Sequence, residues 1–149
     1  DLKALNLPLM DEPNHPRLGQ YTHPHTLRFS ELIARGDAYV FVTTEYNFAI
    51  PGALKNALDY LSREWAGKPM AVVSYGGITG AVRAAEDVRR VAGALGMVAS
   101  AKNVVAPLFR QQCDDTGRFN ANAVQEEAAH EMLDALADWG TLLNARHAG

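Results

Sequence analysis

Two short stretches carry residue types able to handle a ligand. Thr44, Glu45, Tyr46 and Asn47 set a hydroxyl, a carboxylate, a phenol and an amide in consecutive positions. Ser74-Tyr75-Gly76-Gly77-Ile78-Thr79-Gly80 combines hydroxyl side chains with three glycines. Glycines let a backbone approach a flat or anionic ligand closely, and a helix start just beyond supplies free amide protons. Taken singly, each stretch also reads as an ordinary connection. Loops are polar, and glycines serve tight turns that need positive φ.

Other candidate chemistry is thinner. His15, His23 and His25 fall in a proline-rich run, but a spacing of two puts His23 and His25 on opposite sides of an extended chain. No ligand partner sits at a recognised interval, so capping and hydrogen-bonding roles are expected and no metal site is assigned. Cys113 lacks the helix start or cationic cluster that would activate a thiol. Ser74 sits in V-V-S-Y-G, without the glycine two residues earlier that a nucleophile elbow wants, which argues against a serine hydrolase. Gly67-Lys68 is followed by Pro69 and is no phosphate loop. No side chain is assigned a catalytic role.

The elements that must position the two stretches follow from periodicity. Asp37 to Thr43 is a short apolar run rich in β-branched and aromatic residues, as a strand covered on both faces should be. Pro51 opens a helix in which Leu54, Leu58 and Leu61 form one stripe, ending near Arg63 to Trp65. Met70 to Ser74 is a second buried strand, and Ala81 to Leu95 a helix with Val82, Ala85, Val88, Ala92 and Leu95 on one face. A third strand is expected over Ala101 to Ala106. A last helix is expected from Ala123 to about Ala145, with Val124, Ala128, Met132, Leu136, Trp139 and Leu143 in its stripe. Before these, Asp1 to Leu7 reads as the tail of a strand, the prolines from Pro8 to Pro24 forbid regular structure over most of that stretch, and Thr26 to Arg35 reads as a helix capped by Gly36. Strands alternating with helices imply an α/β fold with a parallel sheet. Right-handed crossovers then bring both polar loops to one rim of that sheet, where such folds bind ligands, and a shared crevice becomes the favoured reading.

The 149 residues suit one domain spanning 1–149, large enough for a core without staples. A net charge of −3, with scattered basic residues, gives no footprint for nucleic acid. A single cysteine fits a reducing, cytoplasmic compartment, and no apolar run reaches the length of a membrane span.

The stretch TEYNFAIPGALKNALDYLS closely resembles the signature of the NAD(P)H-dependent FMN reductases of flavodoxin-like fold, which have PEYN, a small loop and then PG-LKNA-D. SYGGITGAVR resembles that family's second flavin loop at the right separation, and the resemblance runs from Leu7 onward. Thr44 stands where the family has proline, a change that leaves the backbone amides free to act. The resemblance also implies an N-terminal strand and a serine- and arginine-containing loop that grips the flavin phosphate. Nothing before Leu7 matches that unit. The expectation is a flavodoxin-like three-layer sandwich without its first strand-helix unit, a segment of about 30 residues. In a sheet ordered 2-1-3-4-5, that strand lies between the second and third.

The resemblance implies FMN as cofactor and NAD(P)H as co-substrate. Thr44, Glu45, Tyr46 and Asn47 would line the ring system, mainly through backbone amides, with Ser74, Tyr75, Gly76 and Gly77 bordering its opposite side. Arg83 would stand beside a nicotinamide-nucleotide phosphate. The implied reaction passes a hydride from NAD(P)H to FMN and on to a quinone, azo dye, nitro compound, metal oxyanion or free flavin. A homodimer or homotetramer is implied, paired through the helix after Pro51. The alternatives are a flavodoxin-type electron carrier without turnover, against which a charge of only −3 argues, and a non-enzymatic oligomer with an empty site.

Overall fold

The computed structural model describes residues 1–147, with side chains described as far as Leu143. Its centre is a parallel sheet. β1 (Tyr39–Thr43) pairs along its length with β2 (Pro69–Tyr75), Tyr39 opposite Met70 and Thr43 opposite Ser74. The other edge of β2 carries two short strands in succession. β3 (Val98–Ala99) pairs at its start, and β4 (Val104–Ala106) pairs from Val73 to Tyr75. Pro69 is tolerated as the first residue of β2 because a strand start can forgo one ladder donor.

The expected third strand is thus split. Asn103 fills the interruption: its Oδ1 accepts the Val72 amide at 2.8 Å, in place of a ladder carbonyl, and its Nδ2 donates to Ala101 O at 3.2 Å. Among the described residues, β1 pairs with no strand except β2, so its outer edge is open; Phe41 and Thr43 are buried while Val40 and Val42 are exposed, so the expected cover on both faces of this strand is corrected to cover on one.

Helices cover both faces of β2, and the strand period of two sorts the side chains. On one side, Phe41, Met70 and Val72 pack with α2 (Pro24–Ala34), α3 (Gly52–Asp59) and α4 (Val82–Ala94) in a core holding Phe29, Leu58, Tyr60, Leu61, Trp65 and Val88. On the other, Ala71 and Val104 meet Met132 and Leu136 of α5 (Ala123–His147).

Several expectations are corrected. Leu2–Leu5 is one helical turn, α1, because the Asp1 side chain accepts the Lys3 amide and Asn6 ends it at φ 46°. α3 stops at Asp59, short of Arg63: the chain turns there so that Glu64 can accept from Tyr21, Ser30 and the Ser62 amide while Trp65 stays buried. In α5, Val124 faces solvent and Gln125 is buried. Asn122 and Gln125 exchange side-chain-to-amide bonds of 3.0 Å in both directions, and that reciprocal cap sets the rotation of the first turn. Trp139 is 41% exposed, so the inward stripe narrows to Met132 and Leu136. No helix among the described residues is long and apolar enough to cross a membrane.

Candidate functional site

Because Thr43 and Ser74 are register partners at the ends of parallel strands, the loops that follow them leave the sheet side by side. They border an open cavity of about 680 Å³ lined by Thr44, Glu45, Gly76, Gly77, Ile78 and Thr79, with Ala81 and Arg83 at one end. A third wall comes from Leu108, Phe109, Arg110 and Gln111, on the 3-10 turn after β4. Polar and irregular by composition, that segment carries no motif of its own. The signal was available: in a parallel sheet the loop after every strand reaches the same rim.

The eight expected site residues divide. Thr44, Glu45, Gly76 and Gly77 line the crevice. Tyr46 and Asn47 lie just beyond, in a two-residue hairpin. Tyr46 and Ala49 exchange backbone bonds of 3.2 and 3.0 Å, while Asn47 and Phe48 take φ of 50° and 68°. This is the primed-turn pattern, which suits Asn and disfavours Phe, since a left-handed conformation costs a bulky residue about 1–2 kcal/mol. Ser74 and Tyr75 belong to β2 and do not line the cavity. Ser74 is buried, and its Oγ has no hydrogen-bond partner. Tyr75 meets Phe109 edge-on at 5.0 Å.

The Glu45 carboxylate is engaged by the start of α4. Its Oε1 accepts from Arg83 Nε and Nη2 at 3.0 and 2.8 Å, and its Oε2 accepts the amides of Arg83 and Ala84. A carboxylate on the first turn of α4 answers that helix's free amides and dipole. The Arg83 guanidinium holds the Glu45 carboxyl below its ordinary range, against a smaller upward push from burial. The same guanidinium lies 3.9 Å over the Phe48 ring. Glu45, Arg83 and Phe48 therefore form a clamp that offsets the cost of the strained hairpin and ties the first loop to α4. The expectation that the start of α4 offers free amides is corrected here, since Glu45 takes two of them.

The glycine turn keeps donors in reserve. Gly76 N–H donates to Ala106 O and Gly80 N–H to Gly77 O, whereas the N–H groups of Gly77, Ile78 and Thr79 have no intramolecular acceptor among the described residues. Gly80 is required on two counts. Its φ is 60°, and a Cβ there would stand 2.5 Å from Val105 Cγ1 and 3.0 Å from Pro107 N.

A second cavity, of about 460 Å³, lies toward the far ends of α3 and α4 and includes Arg17, Lys55 and Arg90. Lys55 is paired with Asp59 and Arg90 with Asp87, and no glycine turn borders it. The histidines of the proline-rich run bond within the protein, His15 Nδ1 accepting the Arg17 amide at 3.2 Å. His23 and His25 straddle the start of α2 and stack at 5.2 Å, contrary to the expected opposite orientation, and His25 Nε2 lies 2.9 Å from Asp11 Oδ1.

Residues 1–110 match the family model described as NADPH-dependent FMN reductase. An NAD(P)H-dependent FMN reductase of Schizosaccharomyces pombe is 46% identical over 99 residues, covering 65% of this chain and 49% of that protein. One of Saccharomyces cerevisiae is 41% identical over 83 residues, covering 52% and 44%. A quinone reductase of Pseudomonas putida is 56% identical over 52 residues, 32% of this chain and 28% of that protein. Among solved structures, the flavoenzyme NAD(P)H:(acceptor) oxidoreductase FerB of Paracoccus denitrificans superposes with a TM-score of 0.72 at 25% identity, covering 91% of this chain and 76% of that one. The match spans about half or less of the length of the curated relatives.

Proposed function

The chain belongs to the NADPH-dependent FMN reductase family, and from that premise we propose that its crevice holds FMN and passes electrons from NAD(P)H to a small-molecule acceptor of the quinone class. Azo dyes, nitro compounds, metal oxyanions and free flavin are the other acceptors such a site would serve. The observation that carries the reading is the pairing of an open, partly apolar cavity with backbone donors left free at Gly77, Ile78 and Thr79. Those donors fit a flat ring with a polar edge.

FMN, when bound, supplies the hydride chemistry, and the protein supplies orientation and electrostatics. In this reading Thr44, Glu45, Tyr46 and Asn47 present the first loop, held in shape by the Glu45–Arg83 clamp. Backbone amides of the first loop other than that of Tyr46, which is bonded to Ala49 O, and those of Gly77, Ile78 and Thr79 stabilise negative charge at the ring edge, as an oxyanion hole does. Tyr46 and Phe48, both 68% exposed, give apolar area at the mouth. Neighbouring Ser74 and Tyr75 border the site from beneath. We further propose a single domain, a cytoplasmic location and a homodimer or homotetramer.

The test is the absorption spectrum of the full-length protein, followed by anaerobic NADPH and then a quinone. A visible flavin band that bleaches with NADPH and returns with quinone is expected. A band that NADPH leaves unchanged would make the protein a flavodoxin-type carrier. A colourless protein that takes up no added FMN would contradict the reading.

A further inference from the structure

The crevice is bordered by two arginines, and their circumstances differ. Arg83 is spent: its guanidinium makes two bonds to Glu45 and covers the Phe48 ring. Arg110 lines the same cavity from the opposite wall, and its guanidinium has no hydrogen bond, ion pair or ring contact among the described residues.

Arg110 is nevertheless not on a loose loop. The turn that carries it is fastened to the glycine turn by two backbone bonds, Leu108 N–H to Gly77 O at 2.8 Å and Phe109 N–H to Gly76 O at 3.2 Å. Phe109 packs edge-on against Tyr75, and Gln112 Nε2 donates to Pro107 O at 2.8 Å. Leu108 enters the turn at φ 48°, a conformation that a leucine holds only when its surroundings impose it. The fold thus fixes the backbone of a cation at the cavity wall and leaves its charged end unpaired.

We propose that Arg110 is the residue by which this crevice selects substrates bearing an anionic group (sulfonate, carboxylate or phosphate) next to a flat redox ring. A guanidinium offers five donors in a planar fork that matches such oxyanions, and charge-assisted bonds of this kind are about twice as strong as neutral ones. The proposal rests on the reading that the crevice receives flat redox partners, and it moves anion recognition from Arg83, where the sequence resemblance put it, to Arg110. The anion can belong to the nicotinamide nucleotide or to the acceptor, so the assay has an arm for each.

In the full-length protein, kcat/KM is measured for anthraquinone-2-sulfonate and for uncharged 2-(hydroxymethyl)anthraquinone, with NADPH as donor. Arg110→Gln is expected to lower the sulfonate-to-neutral ratio about tenfold, the size of one charge-assisted contact. Arg110→Lys should recover part of it, and Arg83→Gln should leave the ratio within about twofold while lowering both values. A tenfold rise in the KM for NADPH in Arg110→Gln, with the acceptor ratio unchanged, would place the anion on the donor. A ratio that follows Arg83, or losses in Arg110→Gln that are equal for both quinones with the NADPH KM unmoved, would overturn the proposal. Calorimetric binding of the two anthraquinones without NADPH keeps the inference separable from turnover. A protein that fails to reduce flavin refutes the proposed function, while the affinity ratio in wild type and Arg110→Gln still decides the role of Arg110.

Discussion

Two regions of this molecule are rich in residues associated with chemistry, and they use them in opposite ways. At the proline-rich corner between α1 and α3, Asp11, Glu12, Tyr21, His23, His25, Tyr60 and Glu64 bond to one another and to nearby backbone. Tyr60 OH has its one proton within reach of two acceptors, Asp11 Oδ1 at 3.0 Å and Pro8 O at 3.1 Å, and Glu12 accepts from the Thr22 and His23 amides. At the sheet rim, by contrast, Ser74 Oγ, three amides and the Arg110 guanidinium have no partner among the described residues. A histidine cluster that satisfies itself is architecture. Donors kept unpaired at a cavity are capacity for a ligand.

The perturbed groups of the corner fit that view. Burial pushes the Tyr60 phenol up to about 12, with Asp11 adding to the shift. Burial alone would raise Glu12, but the donors around it carry the carboxyl down to about 2: the Thr26 hydroxyl, which faces it without closing a bond of good geometry, and the Thr22 and His23 amides. Burial would also raise Asp11, and bonds from His25 and Tyr60 outweigh it.

The largest expected effect breaks the rim outright. Gly80→Val adds a clash with Val105 and Pro107 to a left-handed backbone, a combined cost of about 3 kcal/mol or more. Urea unfolding should show it, and FMN uptake should be lost with it. Smaller, and confined to the corner, is Tyr60→Phe, which forfeits the bonds to Asp11 and Pro8 for about 1–2 kcal/mol of stability. The urea midpoint should fall while FMN affinity stays within about twofold of wild type. Equal losses in both would erase the distinction between the two regions.

Glu45→Gln sharpens the comparison from the rim side. The amide keeps the size of the carboxylate but loses the ion pair with Arg83, so the Asn47–Phe48 hairpin loosens. FMN affinity should drop about tenfold, a single charge-assisted interaction, with the urea midpoint little changed. Flavin fluorescence titration checks it. The smallest effect is on acid stability. The Glu12 carboxyl is depressed in the folded protein, so its contribution is fully present above the unfolded value of 4.5 and is lost as pH falls toward about 2. Thermal melts of Glu12→Gln and wild type should differ above pH 4.5 and converge as pH approaches 2. Curves that stay parallel would remove Glu12 from the account.

Much of the fold was legible because buried strands and amphipathic helices announce themselves by composition and period. The runs around Tyr39–Thr43 and Pro69–Tyr75 and the helix Val82–Ala94 lie within two residues of their expected ends. What failed depended on single side chains meeting distant partners. Asn103 splits a strand by bonding Val72, Gln125 turns a helix by capping, and Glu64 bends the chain by gathering Tyr21 and Ser30. Strand-end topology brought Thr44, Glu45, Gly76 and Gly77 to one crevice. Sequence could not show that Glu45 would spend its charge on Arg83, because residues 38 apart in the chain have no local signature.

The central claim is tested most directly by adding FMN to the isotopically labelled full-length protein and following backbone amide shifts. The largest changes should fall on Thr44, Glu45, Gly76, Gly77 and Ile78, with Lys55, Asp59 and Arg90 unmoved. Shifts centred on Lys55 and Arg90, with the two rim loops silent, would contradict it.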